Sequence, residues 1–171
     1  MRITGGHLRG RRVPVRVSGG VRPTSARVRE ALFSVLGNDL AGCSVLDACG
    51  GSGVLTFEAI SRGATVTTVE RNPATAKHIA RTSRTLGVEV DLRVRDAHRV
   101  FGAGVWDVVL LDPPYADDPL PWVEAAVEAV GQTLVVEHDA SKPLPNSVEG
   151  LMIDKRRTYG GTTLSVYWRR S

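Results

Sequence analysis

The run Leu111-Asp112-Pro113-Pro114-Tyr115 sets a carboxylate, two rigid prolines and an aromatic face within five residues. Those groups suit chemistry on the exocyclic amino group of a nucleobase. Such an amine is a poor nucleophile, because its lone pair is delocalised into the ring. The Asp112 carboxylate and a backbone carbonyl fixed at Pro113 are two acceptors that can hold both N–H bonds and turn the lone pair toward an electrophile. Tyr115 offers a stacking face to a base drawn out of its helix. An electrophilic methyl on S-adenosylmethionine completes the arrangement, and the methylated amine sheds its proton to Asp112 or to water. An Asp before two prolines can also simply cap a turn and end a strand.

Three further acids favour the chemical reading. Asp47, Glu70 and Asp96 each follow a short apolar run, as Asp112 does, so four successive strand ends carry a carboxylate. In an open α/β sheet the ligand binds beyond those ends. Asp47 leads into Ala48-Cys49-Gly50-Gly51-Ser52-Gly53, where glycine admits positive φ and close approach to the main chain, and the next helix offers unpaired N–H groups. A dinucleotide fingerprint needs a third glycine where Thr56 stands, and a G-x-S-x-G nucleophile elbow needs one where Val54 stands. Both of those enzyme classes lose ground. Glu70, about twenty residues past the turn, suits the two hydroxyls of a ribose. Asp96 can accept from an adenine amino group while the backbone at Ala97 serves a ring nitrogen, or it can cap a helix that holds Ala97 and Val100.

The elements that must position these groups follow from periodicity. Thr24 or Ser25 caps a helix in which Val28, Ala31, Leu32 and Val35 share a face before Gly37-Asn38. Strands are predicted at 43–46, 65–69, 88–94, 105–111 and 133–136, with helices at 54–61, 73–86 and 121–130 between them. That alternation means a parallel sheet covered on both faces. Past Pro145, runs at 148–157 and 162–169 flank Tyr159-Gly160-Gly161 and predict an antiparallel hairpin at the sheet edge.

The chain has 171 residues, 42% of them hydrophobic and 23% charged, enough for one ordinary globular domain. We divide it into an arm at 1–23, rich in Arg, Gly and Pro and read as irregular or a small hairpin, and a body at 24–171. Residues 1–30 hold eight Arg and one Glu, and residues 155–170 hold five basic residues and no acid, leaving −8 for 31–154. An acidic body with two basic ends suggests a polyanionic partner. No apolar run approaches the roughly 18 residues of a membrane span, the start lacks a secretory signal, and Cys43 and Cys49 make no disulfide framework. A reducing cytoplasm is expected.

The Gly-rich turn, Glu70, Asp96 and the Asp112 to Tyr115 run resemble a class I methyltransferase acting on exocyclic amino groups. More narrowly, Arg2-Ile3-Thr4-Gly5-Gly6 with Arg9-Gly10-Arg11, and Arg22-Pro23-Thr24-Ser25 with Arg27-Val28-Arg29-Glu30-Ala31-Leu32-Phe33, closely resemble the RsmD family of 16S rRNA guanine-N2 methyltransferases. Glu58 to Ala64 and the Lys155 to Gly160 run match as well, so the resemblance covers nearly the whole chain. It implies an α/β, Rossmann-like class I methyltransferase fold: a seven-stranded, mostly parallel sheet with an antiparallel edge hairpin. S-adenosylmethionine is the implied cofactor, and a guanine of 16S rRNA in the small ribosomal subunit, the family's guanine-966 modification, the implied substrate. Asp47, Gly51 and Gly53 then lie around the methionine end, Glu70 at the ribose, Asp96 with Ala97 at the adenine, and Asp112, Pro113, Pro114 and Tyr115 at the target base. Arg22 and Thr24 belong to the segment the family folds near the methionine carboxylate. The chain departs at Ala48-Cys49-Gly50, where the family has a bulkier Leu-Phe-Ala, and at Ala26, which replaces an Asp.

The remaining residues divide between chemistry and packing. Cys49 beside the turn reads as a small buried thiol, since amino methylation needs no covalent intermediate. His7, His78, His98 and His138 lack ligand spacing, so no metal is expected. Trp106 and Trp122 read as packing residues, and Trp168 as a candidate to face RNA. Arg9, Arg11 and Arg12 of the arm are expected to grip RNA phosphates in a monomeric protein; Arg156, Arg157 and Arg169 either join them or form a solvated strand face. Two rival readings stay open: a DNA adenine-N6 or cytosine-N4 methyltransferase, and a non-catalytic RNA-binding assembly factor with the same fold.

Overall fold

The computed structural model describes residues 1–14 and 24–170. Arg22 and the division at residue 23 lie outside the described residues. Ser25 caps α1 (Ala26–Leu36) by accepting from the Val28 N–H, and Gly37, at φ 95°, ends it. A parallel sheet then builds from β1 (Ser44–Asp47), α2 (Val54–Ser61), β2 (Thr65–Val69), α3 (Pro73–Leu86), β3 (Asp91–Arg93), α4 (His98–Phe101), β4 (Trp106–Leu111), α5 (Pro119–Ala126) and β5 (Val130–Asp139). The edge closes with β6 (Ser147–Val148), β7 (Leu151–Tyr159) and β8 (Thr162–Arg169). The strand order is β3-β2-β1-β4-β5-β8-β7-β6, with β8 antiparallel to β5 and β7.

Alternation along the strands divides the core in two. Val45, Val108, Leu110 and Val135 face the side covered by α1 and α2, while Leu46, Val109, Leu111, Leu134 and Val136 face α4 and α5. The strand order reverses between β1 and β4, which is the topological switch point where an α/β sheet opens its ligand crevice.

Four details differ from the sequence expectations, three through local turns and caps and one through strand pairing. The sheet has eight strands rather than seven, because Glu149 (φ 43°) and Gly150 (φ 86°) turn the chain back and split the expected 148–157 strand into β6 and β7. The third strand shrinks to three residues, since Val88 is held to the end of α3: its N–H donates to the Ser83 carbonyl and its carbonyl accepts the Ser83 hydroxyl. Helix α5 starts two residues early, where Asp118 accepts from the Leu120 N–H and Pro119 opens the first turn, and tightens into a 3₁₀ turn at Val127–Ala129. Strand β5 runs to Asp139 because β8 pairs along its whole second half.

Residues 1–14 fold back on themselves. The Ile3 N–H donates to the Arg11 carbonyl, the Gly10 N–H to the Ile3 carbonyl and the Val13 N–H to the Met1 carbonyl. Ile3, Leu8 and Val13 are buried in the same cluster as Phe33 and Phe57. Glu58, on α2, anchors this stretch by accepting from the Thr4 N–H and hydroxyl and from the guanidinium groups of Arg29 and Arg62. Among the described residues no helix is long and apolar enough to cross a membrane.

Candidate active site

All four strand-end acids arrive at the carboxyl edge of the sheet, and between them opens a cavity of about 530 Å³. Its wall includes Cys49, Gly51, Glu70, Asp96, Ala97, Asp112, Pro113, Pro114 and Tyr115. That volume lies within the range of small-molecule sites.

The turn after β1 is shaped by three glycines with different reasons. A Cβ on Gly50 would lie 2.7 Å from Thr68 Cγ2, so this residue lets the turn sit against β2. Gly53 caps α2 at φ 77°, where a Cβ would also strike Phe57. Gly51, at φ 50°, has nothing nearer to an added Cβ than 3.7 Å and leaves its main chain open to the cavity. Its N–H donates to Glu70 Oε2 at 2.9 Å, and the Asn72 N–H donates to Oε1 at 2.7 Å. A carboxylate has about four acceptor positions, so Glu70 keeps capacity for two ribose hydroxyls.

Asp47 lies behind the turn, 1% exposed. Its Oδ2 accepts the Thr56 hydroxyl at 2.6 Å, and its buried Oδ1 has no hydrogen-bond partner among the described residues. Burial pushes its carboxyl up to about 6, against the lowering effect of the Thr56 hydroxyl and nearby backbone N–H groups. A cationic ligand beside the turn would compensate that charge. Asp96 is half exposed; its Oδ1 accepts from the His98 N–H, which holds the carboxyl below its ordinary range. One Asp96 oxygen thus takes the first N–H of α4, and the residue also borders the cavity. The Glu70 and Asp96 carboxylates on the wall, the Gly51 main chain beside them and the unpartnered Asp47 oxygen behind the turn are a donor set that fits an adenosyl cofactor with a cationic tail.

Asp112 follows β4 at the cavity floor. Burial first, then the charges of Glu137 and Asp47, raise its carboxyl well above the ordinary value. Burial and the same acidic neighbours, Asp112 and Asp47, push the Cys49 thiol far up, which keeps it neutral and unsuited to nucleophilic attack. Tyr115 also lines a second cavity of about 300 Å³, on the α1 side of the sheet, together with Arg27, Glu137, Tyr159 and Thr162. The Tyr115 hydroxyl lies 2.6 Å from the Thr162 hydroxyl, and Lys142 holds the loop by donating to the carbonyls of Tyr115, Ala116 and Asp117.

The structure places other candidates elsewhere. Thr24 is buried and donates at 2.9 Å to Oε2 of Glu137, which lines the second cavity; Thr24 itself borders neither. Arg9, Arg11 and Arg12 are exposed on the N-terminal hairpin. Arg156 and Arg157 are both exposed on β7, and Arg156 also donates to the Leu144 carbonyl and Asn146 Oδ1. Trp168 is 47% exposed and Trp106 is buried. Trp122, read as packing, lines the first cavity and stands 4.6 Å from the His98 ring, centroid to centroid. Glu137, Arg27, Arg71 and Arg95 were not singled out by sequence; for Glu137 the signal was present, an acid directly after a fifth apolar run.

Comparison with known proteins extends over the whole chain. The family model described as conserved hypothetical protein 95 matches residues 1–168. Ribosomal RNA small subunit methyltransferase D of Escherichia coli strain K12 is 30% identical over 180 residues, covering 100% of this chain and 91% of that protein. The protein of that name from Haemophilus influenzae is 37% identical over 123 residues, covering 67% of this chain and 64% of that one. Among solved structures, yhhF of Escherichia coli superimposes with a TM-score of 0.87 at 28% identity, covering 99% of this chain and 98% of that one.

Proposed function

The chain belongs to the conserved hypothetical protein 95 family, the RsmD family, and from that premise we propose that it methylates the N2 amino group of a guanine in 16S rRNA, the family's guanine-966 modification, using S-adenosylmethionine. The observation that carries the proposal is Asp112 on the wall of a nucleoside-sized cavity, with Tyr115 bordering both that cavity and a second one large enough for a base. When bound, the cofactor supplies an electrophilic methyl group on a cationic sulfur.

The chain's own residues then have separable tasks. Glu70 accepts the ribose hydroxyls, Asp96 and the main chain at Ala97 meet the adenine, and Asp47, Gly51 and Gly53 surround the methionine end. Arg22 and Thr24 stand in the segment assigned to its carboxylate by resemblance. Asp112 and the Pro113 carbonyl accept the two N–H bonds of the target amine, with Pro114 fixing the turn and Tyr115 stacking on the base. The raised carboxyl of Asp112 makes it a better proton acceptor than an ordinary Asp, so it can take the proton released as the N–C bond forms. Arg9, Arg11, Arg12, Arg156 and Arg157 supply cations for RNA phosphates.

Incubating the protein and labelled S-adenosylmethionine with small subunits, naked 16S rRNA or double-stranded DNA tests the reading, with the modified nucleoside identified by mass spectrometry. N2-methylguanosine in rRNA is expected. Label in DNA adenine or cytosine supports the DNA rival, and cofactor binding without transfer to any substrate supports the assembly-factor rival.

A further inference from the structure

The end of β5 carries a fifth strand-end acid beside the proposed catalytic one. Strands β4 and β5 are parallel neighbours with Leu111 in register with Val136, which puts Asp112 and Glu137 side by side one residue further on. Val108 and Leu110 share one face of β4, and Val135 and Glu137 share that face of β5; Asp112, just past β4, lines the 530 Å³ cavity and Glu137 the 300 Å³ one, with Tyr115 bordering both. The electrostatic effect of Glu137 on Asp112 independently marks their proximity.

Glu137 is also oriented. Its side chain is buried, 5% exposed, yet it lines the second cavity. Thr24 donates to its Oε2 at 2.9 Å, and the Tyr115 hydroxyl approaches its Oε1 at 3.4 Å. Arg27, whose guanidinium carbon lies 5.6 Å from the centre of the Tyr159 ring, stands at the same cavity and puts a cation where a nucleotide backbone would enter.

We propose that Glu137 selects guanine as the target base, its carboxylate accepting the ring N1–H while Asp112 and the Pro113 carbonyl hold the adjacent N2 amine. The inference rests on the guanine-N2 reading above. Guanine has a ring N–H donor next to its amino group; adenine at N1 and cytosine at N3 have an acceptor there. A carboxylate is an acceptor only, so it attracts the guanine edge and sets lone pair against lone pair on the others. Two neighbouring carboxylates thus match a base edge that is a continuous row of donors, and the same pair disfavours adenine or cytosine.

Small subunits assembled with 16S rRNA that carries either guanine or 2,6-diaminopurine at the target position test this directly. Diaminopurine keeps the 2-amino group but has an acceptor at N1. The wild-type chain is expected to favour guanine by at least roughly a hundredfold in kcat/KM, as sites built to bond a substrate N–H do. Glu137→Gln, whose amide can turn an N–H toward the analogue, should bring that ratio below about tenfold with cofactor affinity unchanged. Equal transfer to both bases by the wild-type chain, or a ratio that Glu137→Gln leaves as it was, overturns the proposal. Equal transfer by the wild-type chain overturns the proposal even if the variant does not fold. Absence of transfer to guanine by the wild-type chain would instead overturn the guanine-N2 reading, and the selection by Glu137 with it.

Discussion

Arg29 and Glu58 meet 3.3 Å apart with side chains 2% and 0% exposed, and Arg62 closes on the same carboxylate from the other side. The remaining guanidinium donors are used as well: Arg29 donates to the carbonyls of Thr24 and Arg2, and Arg62 to the Glu58 carbonyl. This cluster joins the N-terminal hairpin, α1 and α2 at one point. Removing its single acid leaves two buried cations without compensation, a loss of about 3 to 5 kcal/mol. Glu58→Gln should therefore lower the melting temperature by roughly 6 to 20 °C, measured by circular dichroism. A change within experimental error would show that the hairpin docks by its apolar residues alone.

Asp47 should act against stability at neutral pH. Its carboxyl is raised to about 6 in the fold from an ordinary value near 4 in the unfolded chain, so the folded state holds the proton more tightly. The penalty for ionising it is absent below about pH 4, grows as pH rises and is complete above the folded value. A shift of about two units corresponds to about 3 kcal/mol. Asp47→Asn retains an acceptor for the Thr56 hydroxyl, so it should be more stable than the wild-type chain by about that amount at pH 8 and by roughly half of it at pH 5. Urea denaturation at the two pH values measures the difference. If Asp47 compensates a cationic cofactor as proposed, cofactor affinity should fall in the same variant.

Asp112 must be ionised to accept an amine N–H. Since burial and the charges of Glu137 and Asp47 raise its carboxyl, the acidic limb of the turnover profile should lie above the ordinary carboxylate range, with the rate falling as pH drops through it. Losing one charge-assisted hydrogen bond costs about 1.5 to 3 kcal/mol, each 1.36 kcal/mol being about tenfold, and the proton acceptor is lost too. Asp112→Ala should slow methyl transfer at least roughly a hundredfold with much less effect on cofactor affinity. Near-normal turnover would remove Asp112 from the chemistry.

The strand-end acids were legible because parallel strands buried on both faces read as unbroken apolar runs, and an acid after such a run stands out. Glu137 follows such a run too, but Glu137-His138-Asp139 reads as a polar loop and is strand only because Leu164, Thr163 and Thr162 of β8 pair with it, so its place in the sheet was hidden although the acid was visible. Trp122 has the spacing of a packing residue on α5, and only the contact between α4 and α5 brings it to the cavity beside His98. Charge counting along the chain likewise merged unlike arginines. Arg29 belongs to the basic first thirty residues, yet it is spent on Glu58 inside the protein, and Arg156 is held by the loop at 144–146.

That distinction sharpens the expectation for RNA. Arg9, Arg11 and Arg12 are exposed on a hairpin whose apolar residues Ile3, Leu8 and Val13 face inward, and Arg11 makes only a long contact, 3.4 Å, to the Thr85 carbonyl. Their charges are available to phosphates and dispensable for folding. Changing all three to Gln should weaken RNA binding and reduce the slope of log affinity against log salt by about 2 to 3, since each phosphate contact contributes about 0.7 to 0.9. Cofactor affinity, measured by calorimetry without RNA, should stay the same, because none of the three borders the 530 Å³ cavity. If the salt slope holds and cofactor binding falls, the hairpin serves the cofactor pocket and the RNA is gripped elsewhere on the chain.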